Sequence, residues 1–400
     1  MAANRKPDLK LDARLMAIVE HDYPRYSTKE MTRRRELMAA AMAEAGIDHL
    51  VCCAAFFRGG PVHWLSDWLT TYEAVLVFSP GRNDTIFIQF YNHLPQAREI
   101  MPDADIRWGG GSTIETVIEE LSGRGAKGKR VGAAGMVPMN YYKALVAQFG
   151  EVADLNRAIG RLRLVKSAEE VDWYRIAARM SDLSVETLAR ELRPGFDDGD
   201  VAAIIESAYL PWRASTIIHF IGATSMHNPQ SCVPRQHLTN RKLQKGDVIA
   251  CELTASFWQH WGQVLRTFTL GEPFTPLYQR LHDTAQAAYD AIFEVARAGR
   301  HVRELEIGRT VIEDSGFTFY DDLVHGFGGG YTQPIIGSPT RGHEPLPDMM
   351  LEAGMMIVIQ PNVITQDQKA GMQTGELVLI TEAGAESLHT APRGAIYVPV

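Results

Sequence analysis

Glu252 and Gln263 lie eleven residues apart in a run that can bring them side by side. Two β-rich arms, Asp247 to Thr254 and Val264 to Leu270, flank the aromatic stretch Phe257 to Trp261, which predicts a hairpin. Alternation sets the face of each side chain and the turn sets the register, so this carboxyl and this amide can share one face of neighbouring strands. Such a pair can hold a polar ligand, and a carboxyl beside an imidazole can move a proton. The imidazoles available are His227, in Met226-His227-Asn228-Pro229, His237, and His325, in the bend His325-Gly326-Phe327-Gly328, with His219 and His260 as lesser candidates. Arg266 can pair a carboxylate within the sheet or hold a substrate carboxylate through two parallel hydrogen bonds. The chain contains no Gly-x-Ser-x-Gly and no His-Glu-x-x-His, so serine-hydrolase and zincin chemistry have no motif behind them. The glycine bend follows no strand-to-helix start and is not expected to cradle phosphate.

The elements that must position these groups are readable in outline. Met31, Leu37, Met38 and Met42 at helical spacing, closed by Gly46, predict a helix before the strand 47–53. Strands and helices then alternate through 74–78, 85–90, 113–121, 130–133, 141–149 and 152–155, the pattern of an α/β layer on a mixed sheet. Ser167 and Glu170 form a capping box that opens a long helix at a domain junction. Thr275-Pro276 followed by Leu277, Leu281, Ala285, Ala288, Ile292 and Val295, closing at Gly299, predicts the clearest helix, and 304–315 a second. Strands are expected at 355–359 and 376–380.

A chain of 400 residues, 46% of them hydrophobic, can bury the cores of two domains. A net charge of -8 without a basic patch argues against nucleic acid, because Arg33 to Arg35 lie on an amphipathic helix. The polar N-terminus and the absence of a long apolar run predict a cytoplasmic protein that is not in a membrane. Cys52, Cys53, Cys232 and Cys251 are expected as buried free thiols.

The hairpin with Arg266-Thr267, the preceding Gln244-Lys245-Gly246-Asp247 and the junction Arg163-Leu164-Val165-Lys166-Ser167 resemble the methionine aminopeptidase, prolidase and creatinase superfamily from about Thr28 onward. The resemblance implies an α/β (α+β) protein. A small creatinase-like α/β domain, 1–160, would precede a C-terminal pita-bread domain, 161–400. Metal-dependent members hold two ions through two aspartates, a histidine in His-Gly-x-Gly-His and two glutamates. On that frame Glu252 and Gln263 stand for the aspartates, Gly329 for the histidine, Gln360 for the first glutamate, and Gly375 or its neighbour Glu376 for the second. Hard divalent cations need a carboxylate-rich cage, so neither a metal nor another cofactor is expected.

Creatinase itself is a metal-free member that hydrolyses a C–N bond with a histidine and glutamates. The expectation taken from it is a metal-independent hydrolase of a non-peptide C–N bond in a small polar metabolite. His227, or His237 in its place, would be the base, Glu252 the acid, anchor or nucleophile, and His325 and Glu376 further catalytic groups. Gln263, Arg266, Gln360 and His237 would bind substrate. The resemblance further implies a homodimer in which Phe57, Arg58 and Tyr72 of one subunit cover the other's pocket. The alternatives are a lyase of a small zwitterion, an Xaa-Pro peptidase-like enzyme and a non-catalytic scaffold.

Overall fold

The computed structural model describes residues 6–57, 60–328, 330–337 and 346–400. It forms two compact units, His21–Arg163 and a second in which the chain up to Glu20 joins Leu164–Val400. The N-terminal segment therefore sits outside the unit that follows it in sequence. Arg179 Nε donates to the Leu9 carbonyl at 2.7 Å and Trp212 Nε1 to that of Pro7 at 2.8 Å.

Residues His21–Arg163 carry a mixed six-stranded sheet in the order β4-β3-β2-β1-β5-β6, built from β1 (His49–Ala55), β2 (Glu73–Phe78), β3 (Thr85–Ile88), β4 (Asp105–Trp108), β5 (Val131–Gly135) and β6 (Val152–Asp154). The Thr28–Ala45 helix begins where Ser27 accepts the Glu30 amide at 3.2 Å. It stops at Gly46, whose φ of 65° is left-handed and suits a residue without Cβ. Cys52 and Cys53 on β1 are buried free thiols, as are Cys232 and Cys251 in the other unit.

The larger unit is a strongly antiparallel sheet in the order β12-β11-β13-β16-β9-β8-β7. Its strands are β7 (Ser215–Ser225), β8 (Asp247–Phe257), β9 (His260–Leu270), β11 (Val324–Phe327), β12 (Tyr331–Ile336), β13 (Met356–Ile359) and β16 (Gly375–Ile380). Strands β17 (Ala385–Ser387) and β18 (Ala395–Val398) add to β16 and β9, while β10 (Thr318–Phe319), β14 (Asn362–Ile364) and β15 (Gly371–Gln373) form a separate three-stranded sheet. The predicted hairpin is β8 and β9, turned by Trp258 and Gln259, both with positive φ, which matches the right-handed twist of the two arms.

Two helices pack against this sheet. Ala168–Glu191 opens with the predicted capping box, Ser167 and Glu170 exchanging both bonds. It packs so close that a Cβ on Gly262 would lie 2.4 Å from the Ala177 and Ala178 backbone. Pro276–Val295 buries Tyr278, Leu281, Ala285, Ala288, Tyr289 and Ile292 in one core with Ile357, Ile359, Val378 and Ile380. Full burial of each such aliphatic side chain contributes about 1.5–3 kcal/mol. This helix ends at Val295, short of Gly299, because Gly299 is drawn off to Leu351 by a backbone hydrogen bond. No described helix is long and apolar enough to cross a membrane.

Candidate functional site

The hairpin register places Glu252 opposite Leu265 and Thr254 opposite Gln263, so Glu252 and Gln263 share a face as their spacing requires. Gln263 Nε2 donates to Glu252 Oε1 at 2.8 Å and to Gln360 Oε1 at 3.1 Å. Gln360 reaches them from the end of β13, where its amide donates to the Leu323 carbonyl at 2.8 Å and continues the ladder with β11. In that ladder His325 lies opposite Val358, two residues before Gln360 and therefore on the same face. Phe327, two residues beyond His325, meets Trp261, two before Gln263, with ring centroids 5.7 Å apart. Glu252, Gln263, Gln360 and His325 thus converge, and all four are buried.

Burial pushes the Glu252 carboxyl up to about 8, and the charges of Asp321 and Asp322 add to the effect. Glu252 therefore keeps its proton at neutral pH and is a donor as well as an acceptor. His325 Nδ1 lies 3.1 Å from the Gly326 carbonyl and its ring stacks on Tyr331 at 4.1 Å. The tautomer that donates this bond leaves Nε2 as the basic nitrogen. A wall is supplied by the segment after β7, where Ser231 bridges Ala370, Arg235 bridges Ile221, and Pro234 presses on Gly222. His237 is exposed two residues past that bridge.

Several expected site residues lie elsewhere. His227 is well exposed and bonded to Glu272 at 2.8 Å, at the Asp247 end of β8, which the strand rise puts about 17 Å from Glu252. Glu376 pairs with Val264 and so points to the opposite face, where it accepts from Arg266 at 2.5 Å, Ser387 at 2.7 Å and Tyr289 at 3.1 Å. Gly375, opposite Leu265, occupies the position on the pocket face. Arg266 is fully buried, and its remaining donors go to the carbonyls of Leu265, Gly375, Ala391 and Pro392. It locks the sheet to the C-terminal segment and has no donor to spare for a substrate carboxylate.

His219 bonds to the Tyr209 hydroxyl at 2.7 Å, and burial pushes it down to about 4. His260 packs edge-on against Tyr174 beside the hairpin turn. Phe57 and Tyr72 are exposed on a loop of the first unit, where Phe56 meets Tyr72 edge-on at 5.0 Å. Arg58 and Gly329 lie outside the described residues. Asp321, Asp322 and Thr254 were not singled out from the sequence. The signal for the first two was an acidic pair directly before the His325 strand, and for Thr254 its place two residues beyond Glu252.

Residues 172–382 match metallopeptidase family M24. Among curated proteins, the chain is 28% identical over 244 residues to a probable dipeptidase, PepE, of Mycobacterium tuberculosis, covering 60% of this chain and 62% of that protein. It is 25% identical over 252 residues to an Xaa-Pro dipeptidase of Pyrococcus furiosus, covering 63% and 69%. The chain thus spans less than two thirds of the dipeptidase's length. Among solved structures, an X-Pro aminopeptidase of Thermotoga maritima aligns with a TM-score of 0.78 at 19% identity, over 91% of this chain and 99% of that one. The dipeptidase PepE of Mycobacterium ulcerans aligns with 0.76 at 23% identity, over 94% and 100%. These likenesses establish the pita-bread fold.

The relatives correct the expected reaction. Named dipeptidases and Xaa-Pro dipeptidases act on peptides, and this overturns the expectation of a non-peptide C–N bond in a small metabolite.

The family's name implies a metal, and the donor set here does not fit one. Gln263 turns an amide nitrogen, which has no lone pair to give, toward Glu252 and Gln360, while Gly375, on the pocket face, has no side chain. Among the described residues no three His, Cys, Asp or Glu side chains group so as to hold an ion. A pita-bread sheet, a polar cluster at the hairpin and a match over more than half of the sequence lead to one assignment: the chain belongs to metallopeptidase family M24, a family of hydrolases of peptide C–N bonds.

Proposed function

We propose that this protein is an Xaa-Pro peptidase-like enzyme that hydrolyses the amide bond of a dipeptide-sized substrate without paired metal ions, as a cytoplasmic homodimer. The observation that carries this reading is the convergence of a protonated Glu252 with Gln263, Gln360 and His325 on one face of a peptidase-family sheet. Glu252 donates a hydrogen bond to the substrate carbonyl, and Gln263 and Gln360 orient the amide. His325 takes a proton from water as the oxygen adds to the carbonyl carbon. The C–N bond then breaks and that proton passes to the leaving nitrogen, so one water is consumed and no other reactant is needed. Phe57 and Tyr72 are assigned to the dimer, where they cover the partner's pocket.

The test is a panel of Xaa-Pro and Xaa-Xaa dipeptides followed by amine release. Turnover of one group of dipeptides, abolished in His325→Gln, supports the reading. No turnover of any dipeptide overturns it. The closed hydrogen-bond chain from Glu252 through Gln263 to Gln360 favours a second reading, a peptide-binding protein that does not turn over its ligand. Saturable dipeptide binding without amine release would decide for that one.

A further inference from the structure

The first unit holds a cavity of about 140 Å³, lined among others by Arg25, Thr28, Thr32, Asp67, Ile100 and Asp103. It lies wholly within residues 25–104 and shares no residue with the sheet pocket. Asp67 is 5% exposed, and its Oδ1 is buried without a hydrogen bond from any described residue. Burial pushes this carboxyl up to about 6, while the charge of Arg34, the Tyr26 backbone and the more weakly acting charges of Arg25 and Arg35 favour its ionised form, so it is mostly ionised at neutral pH. An ionised, buried oxygen without a donor is costly and calls for a cationic N–H group.

The same lining offers the opposite charge. Among the described residues Arg25 has one loose ion partner, Asp103 at 3.7 Å, and its side chain is about a third exposed. Thr28 opens the 18-residue Thr28–Ala45 helix and Thr32 lies one turn on, at an end whose leading amides lack intrahelical acceptors and whose dipole favours an anion. Ile100, Met31 and Met101 supply apolar wall between these groups. A compact molecule with both an ammonium and a carboxylate answers each of these needs.

We propose that this cavity is a second ligand site that takes a small zwitterionic α-amino acid, its ammonium on Asp67 Oδ1 and its carboxylate on Arg25 and the helix start. Isothermal titration of the full chain with glycine, alanine, proline and valine tests this, together with the N-acetyl and methyl ester forms of the best binder. One free amino acid should bind at millimolar concentration or better, and each blocked form should bind at least about tenfold more weakly. Asp67→Asn and Arg25→Gln should each weaken binding by about tenfold or more. Asparagine tolerates the left-handed backbone of position 67, where φ is 61°. Arg25 lies at the rim, so Arg25→Gln carries the test even where the Asp67 variant folds poorly. The proposal fails if none of the four binds, if blocked forms bind equally, or if both variants bind as tightly as the unmodified chain. The last result would place the amino acid in the sheet pocket.

Discussion

Gln263 stands between Glu252 and Gln360, giving one N–H to each carbonyl or carboxyl oxygen, at 2.8 and 3.1 Å. An amide nitrogen thus occupies the centre of the cluster. The hydrogen-bond chain holds the three side chains in place, and the proton on Glu252 removes the charge that a cation would otherwise have to balance.

The proton on Glu252 sets a pH signature. Its folded-state value near 8 lies above the ordinary 4.5, so the folded state binds this proton more tightly than the unfolded chain does. The stability it contributes is complete below the ordinary value and is lost as pH rises from about 4.5 to about 8, on the order of 5 kcal/mol. Denaturant midpoints across that range should fall with pH, and Glu252→Gln should flatten the fall. Turnover should decline above about pH 8, as the acid is lost.

The two histidines separate cleanly. His325→Gln should lower kcat by about two to four orders of magnitude, the usual contribution of a general base. His227→Ala removes an exposed imidazole at the far end of β8 and should leave kcat and melting temperature unchanged. Steady-state assays of both variants check the pair.

Arg266 is structural, and its loss leaves the buried Glu376 carboxyl without its ion-pair partner. Arg266→Met should destabilise the protein by about 3–5 kcal/mol, read from urea denaturation, whereas Arg266→Met with Glu376→Gln should recover part of the loss.

Gly262 is required by the close approach of the Ala168–Glu191 helix. Gly262→Ala brings a methyl within 2.4 Å of the helix backbone and should cost about 1–3 kcal/mol or more, seen as a lower melting temperature.

Much of the fold was legible because local signals agreed. The Ser167 and Glu170 capping box, the Gly46 stop and the alternation in β8 and β9 each depend on residues a few positions apart, and each forms as read. The pairing of Glu252 with Gln263 was legible for the same reason. Glu376 was not, because a one-residue change of register moves a side chain to the other face, and only the pairing with Val264 decides it. His227 was assigned through a motif likeness, but the length of the segment leading into β8 leaves it beside Glu272 at the strand's far end. Asp321 and Asp322 act on Glu252 through their charges from about seventy positions away in sequence, which no local pattern announces.

The most direct test of the central claim is elemental analysis and a dipeptide assay on one chelator-treated sample. Amine release from an Xaa-Pro dipeptide, with well under about 0.1 divalent ion per chain and no gain on adding manganese, zinc or cobalt, is the predicted result for this donor set. Activity that appears only when such an ion is restored, at one or more per chain, would contradict it.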